Sequence, residues 1–469
     1  MVTGQGVDIA FSPLADLSRA LAAGEVTSGK IVECLLERIA AYDRGLHAFV
    51  DVFSDSARAA AREADERRKK GAVKGPLDGI PFGVKDLFDI AGYPTAAGSR
   101  ALPLEPALRT ATAVERLTAQ GMIALGKTQT VEFAFGGWGT NPVCGTPVNP
   151  RDRTTPRVPG GSSSGSGVAV AGGLVPAALG TDTGGSVRNP SSMCGTVGLK
   201  TSRGLIGRGG LLPLATSFDT VGPLARSVED AALLLAALQG HDPDDPATFG
   251  VRPADPIARL DDGVSGLRLL VPSPRDLQAV EPAVLSDFRA AVAELEALGA
   301  VIEGRAMPQP PEVYMVHAGD IMAAEAWHHL RPNVVAPESV VDPAIRARVS
   351  KGRRFDIGAY LDLMEERRRT QSEFSRYLEG ADALLTPTAP ITAPPIEGID
   401  ESVTPLGTFT RFVNLMDMAA LSVPVGLAKG LPTALQIAVR RFDDPLALRI
   451  GRALEIHRGG LFMPPPGFE

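Results

Sequence analysis

A chain of 469 residues, 44% of them hydrophobic, can bury a large core, and length alone suggests about three domains. Its net charge of −7 argues against a basic nucleic-acid surface, and its longest apolar stretches fall well short of the ~20 residues that span a bilayer. Three cysteines (Cys34, Cys144 and Cys194) are too few for a disulfide framework and suit a reducing cytoplasm.

The N-terminus lacks the charged region and apolar core of a signal peptide. Ile31, Val32, Leu35, Leu36 and Ile39 recur at helical spacing behind a Thr27/Ser28 cap. Residues 54–70 read as an alanine-rich, charged helix ending at Gly71. Residues 112–120 predict a helix closed by Gly121, and 122–126 a buried strand. The segment GSGVAVAGG over 165–173 is small and apolar enough for a short, tightly packed helix, and 174–180 reads as a buried strand. Val284, Phe288, Ala291, Val292, Leu295 and Leu298 mark a core-facing helix between strands at 267–272 and 300–303. Helices predominate from about 240 to 380, with a long one over 355–377. This alternation points to an α/β fold, and no linker or internal repeat divides the chain.

Two serine-bearing glycine loops carry the chemistry. They are GGSSSGS over 160–166 and GTDTGGS over 180–186. The helix between them advances roughly 15 Å at 1.5 Å per residue, and the strand returns a comparable distance at ~3.3 Å per residue. Ser162 and Ser186 should therefore meet at one edge of the molecule. Successive N–H groups over Thr183, Gly184, Gly185 and Ser186 can turn inward as an anion-binding nest, the geometry of an oxyanion hole. No phosphate-cradling G-x-x-x-x-G-K-[ST] or G-x-G-x-x-G pattern is present.

A serine nucleophile needs a base. The six histidines all lie far in sequence from both loops. Residues 161–165 match G-x-S-x-G with Ser163 as nucleophile, but the preceding TTPRVP is a proline-punctuated loop where that elbow requires a strand. Lys85 ends the short apolar segment GIPFGVK. Burial lowers a lysine pKa by up to ~3–5 units, and a desolvated neutral lysine can take a proton from a serine. On spacing alone, a surface Lys85 paired with Asp86 fits equally well.

The segments GIPFGVKD (79–86), VPGGSSSGS (158–166) and GTDTGGSVRNP (180–190) resemble the amidase signature family. So do Thr140-Asn141-Pro142, Asn149-Pro150, Cys194-Gly195 through Lys200, LLTPTAP (384–390), LSVPVG (421–426) and GLPTALQ (430–436). The resemblance implies one continuous α/β/α domain over 6–460, a large mixed central sheet flanked by helices, with a catalytic core near 60–230 and 380–445. It implies a Ser–cis-Ser–Lys unit with Ser186 as nucleophile, Ser162 as the bridging serine behind a cis peptide, and Lys85 as terminal base. Thr183, Gly184, Gly185 and Ser186 would supply the oxyanion hole, with neither metal nor organic cofactor. Cys194 is expected as a buried small hydrophobe.

The substrate expected is a small amide, carbamate (urethanase chemistry) or urea-like molecule, with no nucleic-acid or membrane partner, the protein being a cytoplasmic monomer or homodimer. Phe133, Phe135 and Trp138 could line an acyl or aryl pocket or equally pack in the core, and Arg188 could bind a substrate carboxylate or brace the loop through Asp182. The same core motifs resemble the glutaminase subunit of the tRNA-dependent amidotransferase, which works with a partner and channels ammonia onto misacylated tRNA. Leu87-Phe88-Asp89-Ile90 after Lys85-Asp86, and TFTRFVNLMD over 408–417, look closer to free-standing amidases. A free-standing hydrolase is therefore the expectation.

Overall fold

The computed structural model describes residues 7–335 and 340–468; Gly6, the expected first residue of the domain, lies outside the described residues. Eleven strands run in chain order as β1 (Phe49–Val52), β2 (Pro81–Lys85), β3 (Ile123–Thr128), β4 (Ala177–Asp182), β5 (Val197–Lys200), β6 (Thr220–Ala225), β7 (Arg268–Pro272), β8 (Val301–Arg305), β9 (Ala383–Pro387), β10 (Ala419–Ala428) and β11 (Leu431–Val439). They form one mixed sheet in the order β1-β3-β2-β4-β6-β5-β10-β11-β9-β7-β8. Pairing is parallel at β3-β2-β4 and β9-β7-β8, and antiparallel elsewhere. Helices cover the sheet: Asp444–Arg458 and Pro282–Ala297 pack on β10 and β11, and Ser54–Lys69 packs on β3. The expected helix-flanked mixed sheet is the fold observed.

Local sequence explains where most elements begin and end. The Thr27 hydroxyl accepts a hydrogen bond from the Lys30 amide at 3.1 Å and starts the Ser28–Leu46 helix. The Ser54–Lys69 and Thr112–Ala119 helices stop just before Gly71 and Gly121, both at positive φ. The strand expected from residue 174 begins only at Ala177, because Pro176 has no amide to offer a ladder. The sequence pattern gave no sign of β10 and β11, which form a hairpin closed by Lys429 and Gly430. Both turn residues have positive φ, the geometry that matches strand twist in a two-residue loop. Strands β2 and β4 are buried along their whole length, as a strand covered on both faces must be.

Because β2 and β4 are parallel neighbours, with Val84 opposite Leu179, their C-terminal ends share one edge. The Ser164–Ala171 helix packs on β2, β3 and β4, bringing its own N-terminus to that edge. Gly165 permits this approach: a Cβ there would lie 2.3 Å from the Ala48 carbonyl oxygen and 2.4 Å from the Gln129 amide nitrogen. Both clashes are with backbone, so no rotamer change relieves them. Gly165→Ala is expected to cost about 1–3 kcal/mol, read as a lower urea midpoint, and to lower turnover by displacing Ser162.

Candidate active site

Lys85 is the last residue of β2 and is completely buried. Its Nζ lies 2.8 Å from Ser162 Oγ and 2.8 Å from Thr181 Oγ1. Burial pushes the Lys85 ammonium down to about 7, against the opposing pull of the Asp182 and Asp219 carboxylates. Lys85 is not the surface partner of Asp86, which pairs with Lys127 at 3.1 Å. The Gly161–Ser162 peptide is cis. The Ser162 carbonyl accepts from the Val131 amide at 3.1 Å and the Thr130 hydroxyl at 3.0 Å. The Ser163 amide donates to the Ser186 carbonyl at 3.1 Å, tying the two loops together.

Ser186 lies beyond the C-terminal end of β4 and lines a pocket open to solvent. The preceding turn is braced from Asp182, whose Oδ1 accepts from the Gly185 amide at 2.9 Å and whose Oδ2 accepts from the Val187 amide at 3.1 Å. The Gly185 N–H is therefore committed to Asp182 and is not free for an oxyanion, a correction to the expected set. Its φ of +122° is a conformation that favours glycine. No acceptor within the described residues takes the amides of Thr183, Gly184 or Ser186, which leaves these three available. Asp219 steadies the turn from its other side, accepting from the Thr183 hydroxyl at 2.6 Å. Burial pushes the Asp219 carboxyl up to about 6, offset in part by that bond.

Arg188 does not line the pocket. It is fully buried and grips both carboxylate oxygens of Asp182, at 3.0 and 2.8 Å. Its remaining donors reach the Thr410 carbonyl (2.9 Å), Gln436 Oε1 (2.7 Å) and Asn414 Oδ1 (2.7 Å). Burial opposes charge on Asp182, yet Arg188 holds its carboxyl far below the usual carboxylate range. Every donor of the guanidinium is occupied, so the bracing alternative is the one the geometry supports.

Phe133 and Trp138 are also absent from the pocket. Phe133 lies in the main core, and Trp138 joins a separate cluster with Val158 and Leu406, its indole N–H donating to the Asp400 and Val403 carbonyls. Of the three aromatics only Phe135 reaches the lining, just after the chain turns through positive φ at Phe133 and Ala134. Leu214, Met322, Asn189, Arg348 and Arg411 complete much of the wall. Asn189 and Arg411 stand inside motifs already noted in the sequence, whereas Met322 and Arg348 come from the helical region whose pattern carries no motif. The Ser163 hydroxyl is buried 3.3 Å from the Thr181 carbonyl, and no histidine among the described residues hydrogen-bonds to it. Burial pushes the Cys194 thiol up to about 12, so it is inert.

Removing Arg188 would strand the buried Asp182 charge. Arg188→Ala is expected to lower stability by about 3–5 kcal/mol, measured by urea unfolding. A rise in KM with unchanged stability would instead assign it to the substrate.

The chain matches the amidase family over residues 30–448. It is 37% identical over 464 residues to a glutamyl-tRNA(Gln) amidotransferase subunit from Chloroflexus aurantiacus, covering 93% of this chain and 94% of that one. Its fold superposes with a TM-score of 0.90, at 33% identity, on a chain from a vestigial protein complex that reveals the evolutionary origins of an s-triazine catabolic enzyme, covering 97% of this chain and 100% of that one. It superposes with a TM-score of 0.85, at 30% identity, on the peptide amidase of Stenotrophomonas maltophilia, over 98% of this chain and 99% of that one. With matches that run nearly end to end and a buried lysine set against the serine loops, the chain belongs to the amidase family.

Proposed function

We propose that the protein hydrolyses the C–N bond of a small carboxamide through an acyl-enzyme on Ser186. The observation that carries this reading is the buried Lys85 Nζ, 2.8 Å from Ser162 Oγ and with a pKa near neutrality. When Lys85 is neutral, its lone pair accepts the Ser162 proton while Ser162 takes the proton of Ser186. The freed Ser186 oxygen attacks the carbonyl carbon, and the charge that moves to the carbonyl oxygen is met by the amides of Thr183, Gly184 and Ser186. Collapse breaks the C–N bond as the proton returns to the leaving nitrogen, releasing ammonia or an amine. Water, deprotonated along the same relay, then cleaves the ester and gives the acid.

A second reading keeps this chemistry and changes its setting: glutaminase subunit of a tRNA-dependent amidotransferase. The names of the curated relatives favour it over the free-standing hydrolase of aryl amides, carbamates or urea-like bonds expected from sequence. The lining supports the free-standing alternative, because glutamine brings an α-ammonium and no aspartate or glutamate among the described residues lines the pocket.

Ammonia release from butyramide, benzamide and glutamine by the purified chain, beside p-nitroanilide and p-nitrophenyl carbamate cleavage, separates the two. Turnover by the chain alone supports the first reading; glutaminase activity that needs added subunits supports the second. Ser186→Ala is expected to abolish turnover with the fold intact by circular dichroism. Lys85→Ala is expected to cost about 10²–10⁴-fold in kcat, and a merely twofold loss would remove Lys85 from the relay. Since the base works deprotonated, kcat/KM should fall about tenfold per pH unit below 7 and level off above it. An acid optimum contradicts the assignment.

A further inference from the structure

Two arginines line the pocket, and their surroundings differ. Arg348 is neutralised: it pairs with Glu401 Oε2 at 2.6 Å and donates to the Phe135 carbonyl at 2.8 Å. Glu401 is used further by the Thr140 hydroxyl. Arg411, at the start of the short Arg411–Leu415 helix, has no carboxylate partner among the described residues. Its single acceptor among the described residues is the Met315 carbonyl at 3.4 Å, a long and weak contact. The side chain packs on the oxyanion turn, where a Cβ on Gly184 would meet Arg411 Cγ at 3.3 Å. Glycine at 407 leaves room for it, since a Cβ there would lie 2.9 Å from Arg411 Nε.

Arg411 is part-exposed rather than fully buried, so water reaches its guanidinium, and an anion that takes the place of that water gains a charge-assisted contact. Burial, and the like charge of Arg348, push Arg411 down to about 10, which still leaves it cationic at neutral pH. No counter-charge for it stands among the described residues. The rest of the wall is apolar or neutral apart from the already paired Arg348, so the pocket carries one uncompensated positive charge beside Ser186.

Resting on the hydrolase reading above, we propose that the substrate is a carboxamide that also bears a carboxylate and no ammonium group, with Arg411 binding that carboxylate a few atoms from the scissile carbonyl. Guanidinium and carboxylate form paired, charge-assisted hydrogen bonds that fix orientation as well as affinity. A half-amide of a short dicarboxylic acid meets these demands; a neutral aryl amide leaves Arg411 unpaired, and glutamine leaves its ammonium unpaired.

The test uses succinamate, butyramide of similar length without the charge, and glutamine, with wild type, Arg411→Leu and Arg411→Lys. Wild type should prefer succinamate over butyramide by at least about 30-fold in kcat/KM. Arg411→Leu should lower the ratio of succinamate to butyramide kcat/KM by about that factor, and Arg411→Lys should recover part of it. In parallel, succinate binding to Ser186→Ala is measured by calorimetry with and without Arg411→Leu, with a loss of at least about 30-fold in affinity expected. Equal losses on both amides, a preference for glutamine, or succinate binding that is absent or indifferent to Arg411 overturns the inference. Turnover of butyramide with any of those results leaves the hydrolase reading standing. Arg411-dependent succinate binding without turnover of any amide upholds the anion site and overturns the hydrolase reading instead.

Discussion

The buried pair between Asp182 and Arg188 is the interaction on which the site depends. An ion pair this deep is a poor source of stability, since desolvating both charges offsets most of their attraction. Its value lies in where its atoms point. Asp182 fixes two amides of the nucleophile turn, Gly185 and Val187, and so sets the orientation of the amides that remain free. Arg188 carries the constraint across the sheet to Thr410, Asn414 and Gln436. Residues from the last quarter of the chain thereby hold a loop formed by the first half.

The same carboxylate enters the acid–base balance. Burial alone would drive the Lys85 pKa lower, while Asp182 and Asp219 raise it. A base far below neutrality accepts protons poorly, and one near its ordinary value is protonated at working pH; a value near 7 serves both demands. The two acids also hold opposite sides of the oxyanion turn, Asp182 through Gly185 and Asp219 through Thr183. Placement of the amides and the Lys85 pKa are therefore coupled through two side chains that lie outside the pocket lining.

Much of this was legible in the sequence, and the boundary is physical. Helices capped by Thr27 or closed before Gly71 and Gly121 follow from local backbone preference, and the meeting of the two serine loops follows from helix rise and strand rise. The resemblance supplied Lys85, which spacing alone left open between base and surface residue. What stayed hidden depends on long-range pairing. The β10–β11 hairpin reads as two apolar runs without alternation, and the partners of Asp86 and Arg188 lie 41 and up to 248 residues away. The aromatics stay open between pocket and core in the sequence, because composition cannot say which way a turn aims each ring: Phe133 and Trp138 face cores, while Phe135 faces the pocket.

The charges acting on Lys85 are Asp182 and Asp219, and neither pocket arginine is among them. A carboxylate bound at Arg411 would cancel the pocket's positive charge. Cancelling that charge also withdraws whatever help it gave to the developing oxyanion, which shifts the burden to the neutral backbone donors of Thr183, Gly184 and Ser186. Fixed amide dipoles need no counter-ion and no reorganisation as charge develops. A site that admits an anion next to its own oxyanion needs donors of that kind, and a turn locked by Asp182 and Asp219 supplies them.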